Sequence, residues 1–190
     1  MTNAESHVPI GLLRELIDAD FDTGCLTWKS RESKHFSEPR KRSAIELCLI
    51  WNSNFSGKSA LNHKAPSGHL SGKIFSRQIF SHRVVFALYT GDWPTQSIDH
   101  INGNPGDNRI ANLRDVSHQE NCKNQRIRKT NTSGFMGVTF NRKLGKWAAQ
   151  FSVNGKHKYA GFFESKDEAI EARSMVNSQL NFHQNHGRAL

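Results

Sequence analysis

The stretch "SIDHINGNPGDNRIANLRDVSHQEN", Ser97–Asn121, constrains this chain more than any other. Its apolar pieces are too short for a long helix, and "NGNPGDN" is dense in residues that reverse a chain. Ser97–Ile101 reads as a strand and "NLRDV" as a second, short one. Ser117 followed three residues later by Glu120 is a capping box, so a helix is expected from His118 to about Arg126. The order is therefore strand, loop, strand, helix. Into that frame the sequence sets Asp99 beside His100, then Asn102, Asn104, Asn108, Asn112 and Asn121.

Those residue types suit phosphodiester hydrolysis. A base must take a proton from water, a cation must neutralise charge growing on the phosphoryl and departing oxygens, and both must be held at fixed separation. A neutral imidazole serves as the base near neutral pH, which points to His100. Mg²⁺ or Mn²⁺ prefers carboxylate and amide oxygens, which points to Asp99, with Asn121 reaching back from its helix as a second ligand. Asn124 is the alternative to Asn121. The Asn112 amide can bridge the loop and brace the backbone around His100, leaving Asn102, Asn104 and Asn108 mainly to make turns. Neighbours on a regular strand point to opposite faces, so a twist or bulge is expected to let Asp99 and His100 approach one phosphate.

"DHINGNPGDNRIANLRDVSHQEN", preceded by "HRVVFALYTGDWP", resembles the H-N-H endonucleases of the homing and phage type over roughly His82–Arg126. The resemblance implies a ββα-metal module that cuts DNA. It makes Asp99 an ion ligand, His100 the general base, Asn112 structural and Asn121 the second ligand of the same ion. The paired cysteines of that family's zinc-bearing members are missing: Cys25, Cys48 and Cys122 stand far apart, so no structural zinc and no disulfide framework are expected. His82 and Arg83 either touch a phosphate or stabilise the start of a helix of two to three turns expected within 81–94 and ended by Gly91 and Pro94.

Elsewhere, Pro9–Asp20 reads as an amphipathic helix with Ile10, Leu13, Leu16 and Ile17 on one face. Residues 29–42 read as a polar loop. Gly57, Gly68 and Gly72 punctuate 44–80, which reads as small antiparallel strands with no visible chemistry. Hydrophobic residues are 36% of the 190, which favours several small modules over one large core. The expected division is an N-terminal region 1–80, a nuclease module 81–128, a linker 129–133, a second module 134–182 and a frayed tail 183–190.

Lys and Arg number 26 against 17 Asp and Glu, a net charge of +9, and such a surface attracts polyanions. Lys123–Phe163 carries nine Lys or Arg and no acidic residue. Within it "GVTF", "KWAAQFSV" and "KHKYAGFF" read as strands, with Gly145 and Asn154-Gly155 as turns, followed by a helix capped by Ser165 and Glu168. "SGFMGVTFNRKLGKWAAQFSVNGKHKYAGFFESKDEAIEA" is similar to the plant ethylene-response-factor (Apetala) DNA-binding domain, which implies three strands packed on one helix and an outer sheet face for DNA. Alternation gives Lys146, Ala148, Gln150 and Ser152 one face, which with Arg142, His157 and Tyr159 forms a polar, basic surface. Thr139 and Ser152 stand where the plant domain uses arginines. The bland alternative is a sheet face that is merely solvated.

The sequence thus describes an α+β chain. The expected function is a divalent-metal-dependent DNA endonuclease with a tethered reader of double-stranded DNA, nicking because one metal-and-base set occurs per chain. The alternatives are a non-catalytic DNA-binding regulator with a decayed motif, and a structured-RNA binder. No signal peptide, membrane segment or obligate protein partner is read from the sequence, and a cytoplasmic place in a bacterial or phage-infected host cell is expected.

Overall fold

The structure, a computed structural model, describes residues 8–37, 42–124, 127, 130–153, 155–182 and 186–187. It is mixed α and β with several small antiparallel sheets, and it divides into two compact units, residues 1–117 and 118–190.

In the first unit, helix α1 (Ile10–Leu16) runs into strand β1 (Ile17–Asp20), which pairs with β2 (Cys25–Trp28). The single helix expected over Pro9–Asp20 is therefore corrected. The Asp20 carboxylate accepts the backbone N–H of Asp22 and Thr23, at 3.0 and 3.1 Å, and Gly24 turns the chain at φ +72°. A hairpin closed that tightly captures Ile17–Asp20 as strand despite their helical spacing. A 3-10 turn, Ser33–His35, interrupts the expected polar loop.

Ala44–Phe55 forms helix α2, where strands were expected. Ser43 and Glu46 exchange the two hydrogen bonds of a capping box at its start. Its apolar side chains explain the misreading: Ile45 and Leu49 are exposed, so no inward stripe marks the helix. Arg31 is buried with its guanidinium 3.9 Å from the Trp51 ring centroid and 5.3 Å from that of Trp28. Burial pushes its pKa down to about 10.

Strands β3 (His63–Lys64), β4 (Leu70–Ile74) and β5 (Arg77–Phe80) then form a three-stranded meander. Helix α3 (Ser81–Thr90) follows directly and ends at Gly91, which takes the left-handed conformation that stops a helix. Strands β6 (Ser97–His100) and β7 (Leu113–Val116) pair antiparallel around the Asn-rich loop, with a 3-10 turn at Ile110–Asn112. One core joins all of this: Val8, Leu13, Leu16, Leu26, Ile74, Ile79, Val84 and Val85 pack with Ile98 and Leu113. Residues 8–80 thus share their interior with the β6–β7 hairpin.

The second unit begins with α4 (His118–Cys122); Arg126, the expected end of that helix, lies outside the described residues. Lys129 of the expected linker, Asn154 of the Asn-Gly turn and most of the tail also lie outside them. Strands β8 (Val138–Asn141), β9 (Lys146–Val153) and β10 (Lys156–Phe163) form an antiparallel sheet with β9 at its centre. Helix α5 (Lys166–Gln179) is capped by Ser165 and Glu168 and buries Ala169 with Val138 and Ala149, flanked by Trp147, Phe163 and Ile170. Gly137 lies under buried Arg173: a Cβ there would stand 2.4 Å from Arg173 Nε and 2.5 Å from the Gln150 carbonyl.

Candidate active site

Asp99 and His100 sit at the end of β6, both buried. The ladder is regular: Asp99 lies opposite Arg114 and His100 opposite Leu113. The expected bulge between them is absent from this pairing, and alternation sends their side chains to opposite faces. Asp99 accepts two hydrogen bonds at Oδ2, from Arg114 Nε at 2.9 Å and Nη2 at 2.7 Å.

His100 turns toward a different set of partners. Its Nε2 lies 3.1 Å from Asn108 Oδ1; with that amide oxygen accepting, Nε2 carries the proton and Nδ1 the lone pair. Asn108 is 2% exposed. The β1–β2 hairpin fixes it in place. Ile110 N–H donates to the Phe21 carbonyl at 3.0 Å, and a Cβ on Gly24 would fall 2.2 Å from the Asn108 carbonyl carbon. Asn108 is expected mainly to make a turn; in the structure it is also the hydrogen-bond partner of His100.

Asn112 spans the loop from below. Its Oδ1 accepts the Asn102 backbone N–H at 2.9 Å, and its Nδ2 donates to Asn102 Oδ1 at 3.1 Å and the Asp107 carbonyl at 2.8 Å. Asn102 Nδ2 also donates to Asp107 Oδ2, and Arg109 clamps the same carboxylate through Nε and Nη2 at 2.8 and 2.6 Å. Those Arg109 bonds, first, hold the Asp107 carboxyl down to about 2. Asn104 Oδ1 accepts from the Gly106 N–H, a local turn bond of the kind expected.

Three imidazoles cluster at this place. The ring centroids of His82 and His100 are 5.1 Å apart, those of His69 and His82 5.1 Å, and those of His69 and His100 5.5 Å. His82 stacks on Phe80 and is 6% exposed. Burial pushes its pKa down to about 2, helped by the neighbouring charges of His100, His69 and Arg83. Burial also lowers His100, against the opposing Asn108 bond and the charges of Asp99 and Asp107. Arg83 donates to the carbonyls of Gln96 and Pro94, both at 2.9 Å, which ties α3 to the chain entering β6. His69 stands in a region that shows no chemistry in the sequence. Only the folded chain carries it to His100.

Asp99, His100 and Asn112 all lie in the first unit, with the Asp99 side chain on the face of β6 opposite that of His100. Asn121 lies on α4, in the second unit. Among the described residues no group of three or more His, Cys, Asp and Glu is disposed to hold a metal, and the cysteines are free thiols. A carboxylate such as Asp99 and an amide oxygen are hard donors, which fit Mg²⁺ or Mn²⁺ and do not fit a thiolate zinc site.

In the second unit the register places Ser152 opposite His157, Gln150 opposite Tyr159 and Ala148 opposite Phe162. A shift between Tyr159 and Gly161 keeps Tyr159 and Phe162 on the same face, where both are exposed with ring centroids 5.1 Å apart. His157 lies 5.2 Å from Tyr159. Lys146, Gln150, Ser152, His157 and Tyr159 therefore share the face away from α5, with Arg142 in the β8–β9 turn. Lys146 is paired with Glu164 at 2.8 Å. Phe162 is an addition to the expected set; the extra residue that turns it outward leaves no mark in the sequence pattern.

Comparison with known proteins falls on the β6–β7 region. Residues 80–123 match the family model of the HNH endonucleases. The HNH segment thus starts at the last residue of β5 and takes in α3, the β6–β7 hairpin and α4. Protein 3.8 of Escherichia phage T7 is 36% identical over 70 residues, which are 37% of this chain and 55% of that protein. The chain therefore spans about half the length of this relative. No solved structure matches. No helix among the described residues is long and apolar enough to cross a membrane.

Proposed function

We propose that the chain is a divalent-metal-dependent DNA endonuclease. The observation that carries this reading is the buried bond from His100 Nε2 to Asn108 Oδ1, within the segment that matches the HNH endonucleases. It gives the imidazole one orientation and puts its lone pair on Nδ1, as a general base requires. Asp99 would hold the ion through its carboxylate, with the twist of β6 bringing it toward the phosphate that His100 serves. When bound, the ion neutralises charge on the phosphoryl and leaving oxygens. His100 takes a proton from water, the water oxygen bonds to phosphorus, and the bond from phosphorus to the leaving sugar oxygen breaks. Asn112 braces the loop that carries His100, and Arg114 orients Asp99.

The second unit would supply DNA affinity. Arg142 and Lys146 suit phosphates, Gln150 and Ser152 suit base edges, and His157 and Tyr159 flank them. Tethering raises the local concentration of the nuclease segment to roughly millimolar, so a weak catalytic unit cuts where the sheet binds double-stranded DNA. One base per chain nicks one strand.

The test is a supercoiled plasmid incubated with the full chain. Conversion to nicked circles with Mg²⁺ or Mn²⁺, stopped by EDTA, is expected. Plasmid that is bound but uncut with either ion would leave a DNA-binding regulator.

A further inference from the structure

The β3–β4 turn brings a second imidazole to the site. Within residues 65–69, Ala65 N–H donates to the His69 carbonyl and Gly68 N–H to the Ala65 carbonyl, both at 2.8 Å. Gly68 has φ +86°, and a Cβ there would meet Pro105 Cγ at 2.7 Å. The turn is therefore seated on the loop that follows His100, and only glycine fits the contact. That seating sets the His69 ring 5.5 Å from His100. Of the three clustered histidines, His82 and His100 are 6% and 5% exposed, whereas His69 is half-buried. His69 is thus the ring that both faces His100 and reaches solvent, where a phosphate must arrive. Its Nδ1 lies 3.0 Å from Ser67 Oγ. With the serine hydroxyl donating to Nδ1, the proton of His69 resides on Nε2.

Resting on the endonuclease reading above, we propose that His69 is a substrate-contacting residue of the site: its Nε2–H donates a hydrogen bond to a non-bridging oxygen of the scissile phosphate. His69 transfers no proton. His100 removes the water proton as before, and His69 stabilises the charge that grows on the phosphoryl oxygen as the water oxygen attacks. His82, buried and stacked on Phe80, packs behind both rings. The arrangement explains why a hairpin turn with no sequence pattern of its own is seated so closely on the catalytic loop.

The test uses the full chain, a supercoiled plasmid and Mg²⁺ or Mn²⁺. His69→Ala should lower single-turnover nicking roughly 10–10²-fold, with the melting temperature and plasmid affinity close to the parent. His69→Gln, which keeps a side-chain N–H donor, should recover part of that loss. A phosphorothioate at the non-bridging oxygen that His69 contacts should slow the parent and leave His69→Ala little further slowed, a coupling that a merely structural residue would not show. If His69→Ala proves less stable, His69→Gln and its thio effect decide. A Gln variant that nicks at the parent rate with the parent's thio effect overturns the proposal, as does an Ala variant of parent rate. His100→Ala, run in parallel, separates the two claims. Activity lost there and kept in His69→Ala sinks the His69 assignment alone; activity kept in His100→Ala sinks the nuclease reading beneath it.

Discussion

The two units treat polar side chains in opposite ways. Around the β6–β7 hairpin, Asp99, His100, Asn108 and Asn112 are all buried and each makes a side-chain hydrogen bond, although Asn108 Nδ2 has no partner among the described residues. Across the β8–β10 sheet, Tyr159 and Phe162 stand exposed, with His157 against Tyr159 and Lys146 held by a solvent-facing Glu164. Burying an amide or an imidazole is costly unless its hydrogen bonds are made, so a buried set admits one arrangement. Under the proposed function, chemistry at a single phosphorus in the first unit needs that rigidity. Recognition of a long, uniform polyanion does not, and an exposed face can follow it with little loss. The first unit spends its interior on geometry, and the second spends its surface on charge and aromatic area.

Substitutions should separate the two units. The largest effect is expected from His100→Ala: nicking falls about 10²–10⁴-fold, while gel-shift affinity for DNA stays near the parent. Equal losses of cutting and binding would dissolve the contrast. Asn108→Ala should slow nicking about 10–100-fold, because His100 loses the group that fixes its orientation, again with little effect on binding. Asn112→Ala leaves the Asn102 N–H and the Asp107 carbonyl unpaired and should cost about 1–3 kcal/mol of folding stability, read from urea denaturation of the whole chain.

The histidine cluster adds a pH dependence. An unfolded His82 takes up a proton near pH 6.5, but the folded ring, with a pKa of about 2, does not. Below the ordinary histidine value the unfolded state binds more protons, so stability falls as pH drops from about 6.5 toward 2. One such ring contributes up to about 1.4 kcal/mol per pH unit, and His69 and His100, also lowered by burial, act in the same direction. Urea midpoints at pH 7 and pH 5 should converge in His82→Gln. The smallest effect belongs to the sheet. Arg142→Ala should reduce the slope of log affinity against log salt by about 0.9 if it meets one phosphate. Lys146→Ala should do less, because Glu164 already engages that ammonium.

Much of the β6–β7 region could be read in the sequence. Turn formers bracket two short strands, β6 and β7, where the sequence places them. The second unit was also legible, because alternation along β9 and the Ser165–Glu168 cap obey local rules. Helix α2 was not, since Ile45 and Leu49 face solvent and blur its period, although its Ser43–Glu46 cap was there to be seen. Asn108 and Asn104 look alike in sequence. Packing of Gly24 against the Asn108 backbone turns one of them inward, and that is a contact between distant segments. His69 escaped for the same reason: a turn seated on Pro105 places it, and no spacing within its own strand pair announces that.

Nitrogen-15 NMR of the His100 imidazole near pH 8 tests most directly the claim that Asn108 fixes the base. A neutral ring protonated at Nε2 with its lone pair on Nδ1 is expected, and a mixture of both tautomers in Asn108→Ala. A parent ring protonated at Nδ1, or a tautomer unchanged by that substitution, would contradict it.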